Sequence, residues 1–532
     1  MTTTGEQLLP VAPPPKPTLY DRWAARVAAD PRLERLWRWL APTVLTALAF
    51  LLRVINLGHP HDLVFDETYY VKDAWSEWNL GYTATWPESA DERFVDGETD
   101  IYTTLGSFSV HPPLGRLLIA LGMAAFGADN GWGWRMAVCL AGTALVPVLY
   151  VIARRLTGSI AFASIAALLL AVDGMAIAMS RVALLDGLLA LFVLLAFLFV
   201  LLDRSRHLER LDAGIAARRA GDQPPAWGPV LWNRPWVIAA GAAVGAATAV
   251  KWSGLYVAAG LGIYLVVTDA LARRRAGVAF WPTDAVRQGA VSFVLFIPIA
   301  FAVYLSSWIG WLTSDGGYDR HAVDASPAEG LWAWVPLPLQ NLWKFHQDVY
   351  GFHVGLSSPH GYMSPAWQWP LLVRPTSMHF ARDEYGQNGC LAPEGCVENV
   401  YSMPNPLVWY AAVAAVLWLC WRFVIARDWR IAFALTGVAV TYVPWLLYAE
   451  RTIFQFYTVV IVPFLMLSLA FALRDIAGPP GADAYRRATG QRLVIVFLGV
   501  ALLVAAFWYP VVAGIPVPEW FYRMHNWMPG WV

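Results

Sequence analysis

Eleven apolar runs punctuate the chain, near residues 41–57, 134–153, 158–179, 183–202, 236–250, 253–272, 290–311, 406–425, 431–448, 453–473 and 493–513. Crossing a hydrocarbon core of about 30 Å takes roughly 20 apolar residues in a helix. The runs therefore predict about eleven transmembrane helices. A twelfth run, 114–127, is short for a crossing and reads as a helix lying on the membrane surface. The first 40 residues carry no apolar run long enough to span. A Pro-rich tail, Pro10 to Pro17, precedes a basic, Trp-containing stretch, Arg22 to Trp39. That pattern predicts a disordered tail and an amphipathic lead-in helix. No small-residue cleavage site follows, so it does not read as a signal peptide.

Charge sets the expected orientation. With 114–127 on the surface, one side receives the N-terminal tail, Arg154 and Arg155, the 203–235 loop, Arg273 to Arg275, the Arg422–Arg430 turn and the 474–492 loop. That side carries 25 Lys+Arg and 13 Asp+Glu, and the other carries 13 and 25. Basic loops stay in the cytoplasm. The N-terminus is thus expected inside, the C-terminus outside, and the chain in the plasma membrane. Two long segments fall outside, 58–133 and 313–405. Loops of this length usually carry function. The chain divides into a tail and lead-in helix (1–40), an N-terminal transmembrane module (41–312), the large outer loop (313–405) and a C-terminal four-helix module (406–532).

Composition agrees. Hydrophobic residues are 58% of the 532 and charged residues only 14%, against roughly 25% in soluble domains. An all-α polytopic membrane protein is the expected fold class. Net charge is zero, so nothing favours nucleic acid as a partner. Four cysteines exclude a disulfide-rich scaffold. Cys390 and Cys396 share the second outer loop, where a local disulfide is expected.

Several residues could carry chemistry. The first outer loop opens with Phe65-Asp66-Glu67-Thr68-Tyr69-Tyr70, paired carboxylates just beyond a span. Adjacent carboxylates push one another's pKa apart, which suits a general base; a solvated acidic loop is the plainer reading. Five cations sit near the expected outer ends of spans, Arg53, Arg135, Arg181, Lys251 and Arg451. Ionisable groups at membrane depth are costly and are paired or functional. A lipid phosphate gripped by arginine forks is one reading; structural ion pairs, with Asp173, Asp186 and Glu450 as partners, are the other. His111-Pro112-Pro113-Leu114-Gly115-Arg116 sets a sharp helix start, with Pro113 suited to the first turn. The second outer loop is rich in His and Trp, including His346, His353 and Trp367, and suits sugar or peptide binding or an interfacial belt. There is no P-loop, no dinucleotide fingerprint and no zinc spacing.

Taken together, the sequence resembles actinobacterial-type protein O-mannosyltransferases, membrane glycosyltransferases of the GT-C class. The resemblance rests on Phe65 to Lys72, His111 to Arg116, Ser180-Arg181-Val182-Ala183-Leu184-Leu185-Asp186, Lys251-Trp252-Ser253-Gly254-Leu255-Tyr256 and Arg451-Thr452-Ile453-Phe454-Gln455-Phe456-Tyr457. It implies inverting transfer of mannose from polyprenyl-phosphate-mannose to Ser or Thr of an exported protein. It implies Asp66 as base, Glu67 orienting the base or the acceptor, and Arg53 and Arg135 as important cations. Arg181, Lys251 and Arg451 join them as expected donor ligands. His111, Arg116, Asp186, Gln455 and Tyr457 would support the site, and His346, His353 and Trp367 would meet the acceptor. No metal or other cofactor is expected beyond the lipid donor. The secretion translocon is an expected partner. A GT-C enzyme that glycosylates a lipid, or a polyprenyl-sugar flippase, would be the alternatives.

Overall fold

The computed structural model describes residues 17–219, 225–479 and 481–531. In chain order the helices are α1 Leu19–Ala29, α2 Pro31–Val54, α3 Glu67–Leu80, α4 Ala90–Val95, α5 Leu114–Phe126, α6 Gly131–Thr157, α7 Ile160–Ala171, α8 Gly174–Ala178, α9 Leu185–Ala216 and α10 Pro235–Val250. They continue as α11 Gly254–Arg275, α12 Trp281–Ser306, α13 Ile309–Thr313, α14 Leu337–Gly355, α15 Pro406–Ala426, α16 Trp429–Tyr442, α17 Val462–Ala477, α18 Ala484–Val512 and α19 Glu519–Arg523. All eleven apolar runs fall on helical segments. Among the described residues, eight helical segments are long and apolar enough to cross a membrane. The other three runs fall on α7 with α8, on α10, and on a 3₁₀ turn (Gln455–Val460) leading into α17.

Burial sorts the bundle into layers. In α6 and α9, 67% of the most apolar window is buried, against 11% in α2 and 17% in α12. A helix that is apolar all round and buried belongs to the core, whereas the exposed apolar faces of α2 and α12 suit lipid. The surface segment expected at 114–127 is α5. It starts directly after Pro113 and packs on α3 and α6.

Three expectations change. The lead-in helix over 22–39 is two helices: Asp30 ends α1 and its carboxylate accepts the Arg32 N–H at 2.8 Å, starting α2. Its second half is continuous with the first span. The tail 1–16, expected to be disordered, lies outside the described residues. The run 158–179 is not one helix. It breaks at Val172, and Asp173 caps α8 by accepting the Ala176 N–H at 2.9 Å. The chain is also not wholly helical. Strands β1 Thr376–Asp383, β2 Cys396–Ser402 and β3 Val517–Pro518 form an antiparallel sheet in the order β1-β2-β3. Cys390 and Cys396 are disulfide-bonded in the β1–β2 connection. The third strand comes from beyond α18, a long-range pairing that a reading of local pattern does not reveal.

Candidate active site

The Asp66-Glu67 pair sits at the start of α3, and its two carboxylates differ completely. Glu67 is 0% exposed. It accepts Arg135 Nε and Nη2 at 2.8 Å each, the Val64 N–H at 3.0 Å and the Ala183 N–H at 2.7 Å. Every lone pair has a use, and the 64–67 turn is pinned to α6 and to the segment before α9. Asp66 is the N-cap residue of α3, yet its side chain makes no capping bond. Its carboxylate takes no hydrogen bond among the described residues. Burial pushes it up to about 6, Lys251 pulls it down and Asp186 pushes it up. Those two residues therefore face it electrostatically.

The turn that aims Asp66 is strained. Phe65 holds φ at 52°, in the left-handed region, where a bulky side chain costs roughly 1–2 kcal/mol. Its ring is caged edge-on by Phe454 at 5.7 Å, Phe456 at 5.6 Å and His360 at 6.0 Å. Residues from distant parts of the chain hold a conformation that the local sequence disfavours. Such strain concentrates at functional sites.

The five sequence-predicted cations separate into two groups. Arg53, 0% exposed, donates to the carbonyls of Ala49, Leu170 and Ala171 and to Ser180 Oγ, at 3.0–3.3 Å. The Leu170 and Ala171 carbonyls are left over where α7 breaks, and in a membrane bundle such groups must be satisfied internally. Arg181 donates to the carbonyls of Arg53, Ile55, Asn56 and Ala513, stapling the ends of α2 and α18. Arg135 is held by Glu67 and by the carbonyls of Leu57, Pro60 and Asp62. Most donors of these three are spent on backbone carbonyls and Glu67; only Arg181 Nε is left without a partner among the described residues.

Lys251 and Arg451 differ. Lys251 follows α10 and places Nζ 2.9 and 3.2 Å from the Asp186 oxygens, 3.9 Å above the Tyr457 ring. Arg451 makes no ion pair among the described residues. Its Nη2 lies 3.0 Å from His353 Nδ1, and its buried Nε has no partner. Glu450 is exposed; Asp173 serves as a helix cap, so of the three expected acidic partners only Asp186 pairs with a cation. His111 is pushed well below the usual histidine range by burial, with Lys251, His353, Arg116 and Arg451 adding to it. Its ring stacks on His353 at 5.5 Å and lies 6.1 Å from Tyr70. Asp66, Lys251, Asp186, His111, His353, Arg451 and Tyr457 thus converge.

The remaining predicted residues scatter around this cluster. Arg116 bonds Glu77 at 2.7 Å and the His111 carbonyl at 2.8 Å, fixing the turn before α5. Gln455 is 0% exposed, and neither amide atom has a partner. His346 bonds Tyr304 Oη at 2.5 Å and stacks on Trp252 at 5.7 Å, packed rather than free. Trp367 is 59% exposed and stands apart. Asp186 and Tyr457 also line a narrow groove with Ser253, Tyr256, Val257 and Val440.

Sequence reading missed the polar stripe of α3. Asp66, Tyr70, Asp73 and Glu77 fall at i, i+4, i+7 and i+11, one helical face. Burial pushes Asp73 up to about 7 and Tyr70 well above its usual range. That spacing was the available signal, had 67–80 been read as a helix.

A membrane-embedded helical bundle with an unengaged carboxylate near a Lys–Asp pair that lines a narrow groove has the architecture of a GT-C glycosyltransferase. Two family profiles match the chain: dolichyl-phosphate-mannose-protein mannosyltransferase over residues 103–308, and the C-terminal four TMM region of protein-O-mannosyltransferase over 338–531. The polyprenol-phosphate-mannose–protein mannosyltransferase of Mycolicibacterium smegmatis (strain MKD8) is 34% identical over 94% of this chain and 94% of its own. Its Mycobacterium tuberculosis (strain CDC 1551 / Oshkosh) counterpart is 34% identical over 94% and 93%. The Saccharomyces cerevisiae Pmt1–Pmt2 complex bound to the sugar donor superposes with a TM-score of 0.66 at 16% identity, over 93% of this chain and 92% of that one. The chain belongs to the protein O-mannosyltransferase family, and it is a glycosyltransferase.

Proposed function

We propose that this enzyme moves mannose from polyprenyl-phosphate-mannose to a Ser or Thr hydroxyl of a protein being exported, at the outer face of the plasma membrane. The observation that carries the reading is the division of labour within the acidic pair: Asp66 is unengaged, with a pKa near 6, while Glu67 is saturated. At neutral pH Asp66 is mostly ionised, and it is a stronger base than an ordinary carboxylate.

In the proposed step the acceptor oxygen attacks C1 of the mannose from the side opposite the phosphate. The bond from C1 to the phosphate oxygen breaks, that oxygen keeps the electron pair, and Asp66 takes the hydroxyl proton. A single displacement inverts the anomeric centre. Negative charge grows on the leaving phosphate, where Lys251 and Arg451 are proposed to meet it without a metal. Preorganised donors of this kind are worth about 10²–10³ in rate each. The groove lined by Asp186 and Tyr457 would take the first prenyl units, and Gln455 would hydrogen-bond the donor.

Orientation rests on two supports. The charge asymmetry of the loops favours a cytoplasmic N-terminus and an extracytoplasmic C-terminus. The Cys390–Cys396 disulfide suits an oxidising compartment, and His59 reaches Glu398 of the same sheet at 2.7 Å, which ties the sheet to the site's own loop. We propose eleven crossings. The segment 41–312 would supply base and ammonium, 313–405 would cover the site, and 406–532 would supply Arg451 and Tyr457. A chain emerging from the secretion translocon would present the acceptor hydroxyl in extended form.

The test is transfer by the purified enzyme from polyprenyl-phosphate-mannose to a Ser/Thr-rich peptide, with a glycolipid acceptor in parallel. An α-linked mannosyl peptide is the expected product, and Asp66→Asn should abolish it. Transfer to the glycolipid alone would refute the proposed acceptor.

A further inference from the structure

His353 lies in the last turn of α14, within the large loop, and is bonded at both ring nitrogens. Nε2 is 2.9 Å from the carbonyl oxygen of Val110, and Nδ1 is 3.0 Å from Arg451 Nη2. A carbonyl can only accept, and a guanidinium can only donate. The two partners therefore fix one tautomer: the proton is on Nε2, and Nδ1 offers its lone pair to Arg451. The ring is neutral. Burial, Arg451 and Lys251 push His353 down to about 4, in the same sense. Rings around it include His111 at 5.5 Å, Phe352 at 5.7 Å and Trp252 at 5.9 Å. Among the described residues no carboxylate acts on it.

The Arg451 guanidinium has no other hydrogen bond among the described residues and no acidic partner. It also lies 5.9 Å from the Trp445 ring. A neutral acceptor orients a guanidinium without cancelling its charge, whereas a carboxylate would orient it and cancel it. The loop after α14 is strapped to the same strand of chain. The Thr452 N–H donates to the Leu356 carbonyl at 3.2 Å, and the Ser364 N–H donates to the Ile453 carbonyl at 2.8 Å.

We infer that His353 is a positioning residue: as a neutral acceptor anchored on Val110, it holds Arg451 toward an anionic phosphate with the full positive charge available. This rests on the proposed role of Arg451 as a donor-phosphate ligand. It replaces the expectation that His353 meets the acceptor.

The ring's two nitrogens can be separated by mutation. His353→Asn carries an amide oxygen near the position of Nδ1 and keeps the bond to Arg451. His353→Gln places its amide near Nε2, keeping Val110 and losing Arg451. With the full-length enzyme, polyprenyl-phosphate-mannose and a Ser/Thr peptide, Arg451→Ala is expected to lower kcat/KM for the donor about 10²-fold. His353→Gln should reproduce most of that loss and His353→Asn should stay within a few-fold of the parent. Peptide KM should not change. The double variant His353→Gln/Arg451→Ala should be no worse than Arg451→Ala alone. Binding of polyprenyl phosphate should follow the same order. If the Gln variant fails to fold, His353→Leu, which keeps apolar volume against His111 and Trp252, takes its place and should match Arg451→Ala.

Equal losses for Asn and Gln, multiplying losses in the double variant, or an effect on peptide KM alone would each overturn the inference while leaving Arg451 as donor ligand. An Arg451→Ala variant with unchanged donor use would overturn both.

Discussion

Lys251 Nζ lies 2.9 and 3.2 Å from the two carboxylate oxygens of Asp186, a residue 65 positions earlier. The pair joins the end of α10 to the first turn of α9, with the Tyr457 ring 3.9 Å from the ammonium. An ammonium has three N–H donors. Asp186 occupies two, and one remains for a ligand oxygen. Lys251→Met should lower kcat/KM for the lipid donor by about 10²–10³, read as donor dependence of transfer at fixed peptide.

Asp186 also acts on the base. It pushes Asp66 upward, and Lys251 pulls it down. Asp186→Asn removes the first influence and strengthens the second, so the Asp66 pKa must fall. The acid limb of the kcat/KM profile should move to lower pH than in the parent. An unmoved or raised midpoint would show that the two carboxylates do not share a site.

The parent enzyme's own pH dependence follows from the same group. Asp66 accepts a proton only when ionised, and its pKa is about 6. Activity should therefore be flat above pH 7 and drop tenfold per unit well below 6. The limb seen in kcat should lie higher than that in kcat/KM, because a bound donor phosphate adds negative charge beside the carboxylate. Measuring both profiles separates free from loaded enzyme.

Glu67→Gln should fail differently from Asp66→Asn. Glu67 and Arg135 are each 0% exposed. Removing one charge leaves the other buried without a partner, at a cost of about 3–5 kcal/mol. The Gln variant should lose thermal stability, while the Asn variant should keep the parent's melting temperature and donor binding. Comparing melting curves with transfer rates tells the two carboxylates apart.

The helical character of the apolar runs was legible because a hydrocarbon core forces long apolar stretches; eight of the helical segments are long and apolar enough to cross among the described residues. The acidic pair, Lys251, Arg451 and Tyr457 were also legible, as polar residues where polarity is expensive. The use of each arginine was not. Read as one continuous helix, 158–179 leaves no orphan carbonyls, so the pattern offers Arg53 only a ligand or an acidic partner such as Asp173. Asp173 breaks that helix, and the freed Leu170 and Ala171 carbonyls take the guanidinium. The stripe from Asp66 to Glu77 was hidden by a similar gap, since the apolar residues of α3 are spread around the helix and give no strong amphipathic signature.

Arg53 gives the sharpest contrast between the two readings. As a phosphate ligand it would need a donor pointing into the open site, and its loss would raise donor KM while leaving the fold intact. In the structure its donors go to three carbonyls and Ser180 Oγ, joining α2, the end of α7 and the segment after α8. Arg53→Ala leaves buried acceptors unsatisfied, each costing about 1–3 kcal/mol. Thermal stability and the yield of folded protein should fall, while the folded fraction keeps the parent's donor KM. Arg53→Lys should recover little, because one ammonium cannot span acceptors on three elements. Arg181→Ala should behave in the same way, through the carbonyls of Arg53, Ile55, Asn56 and Ala513. Donor KM and melting temperature measured on the same preparations decide the matter: a raised KM at unchanged stability would return both arginines to the phosphate site.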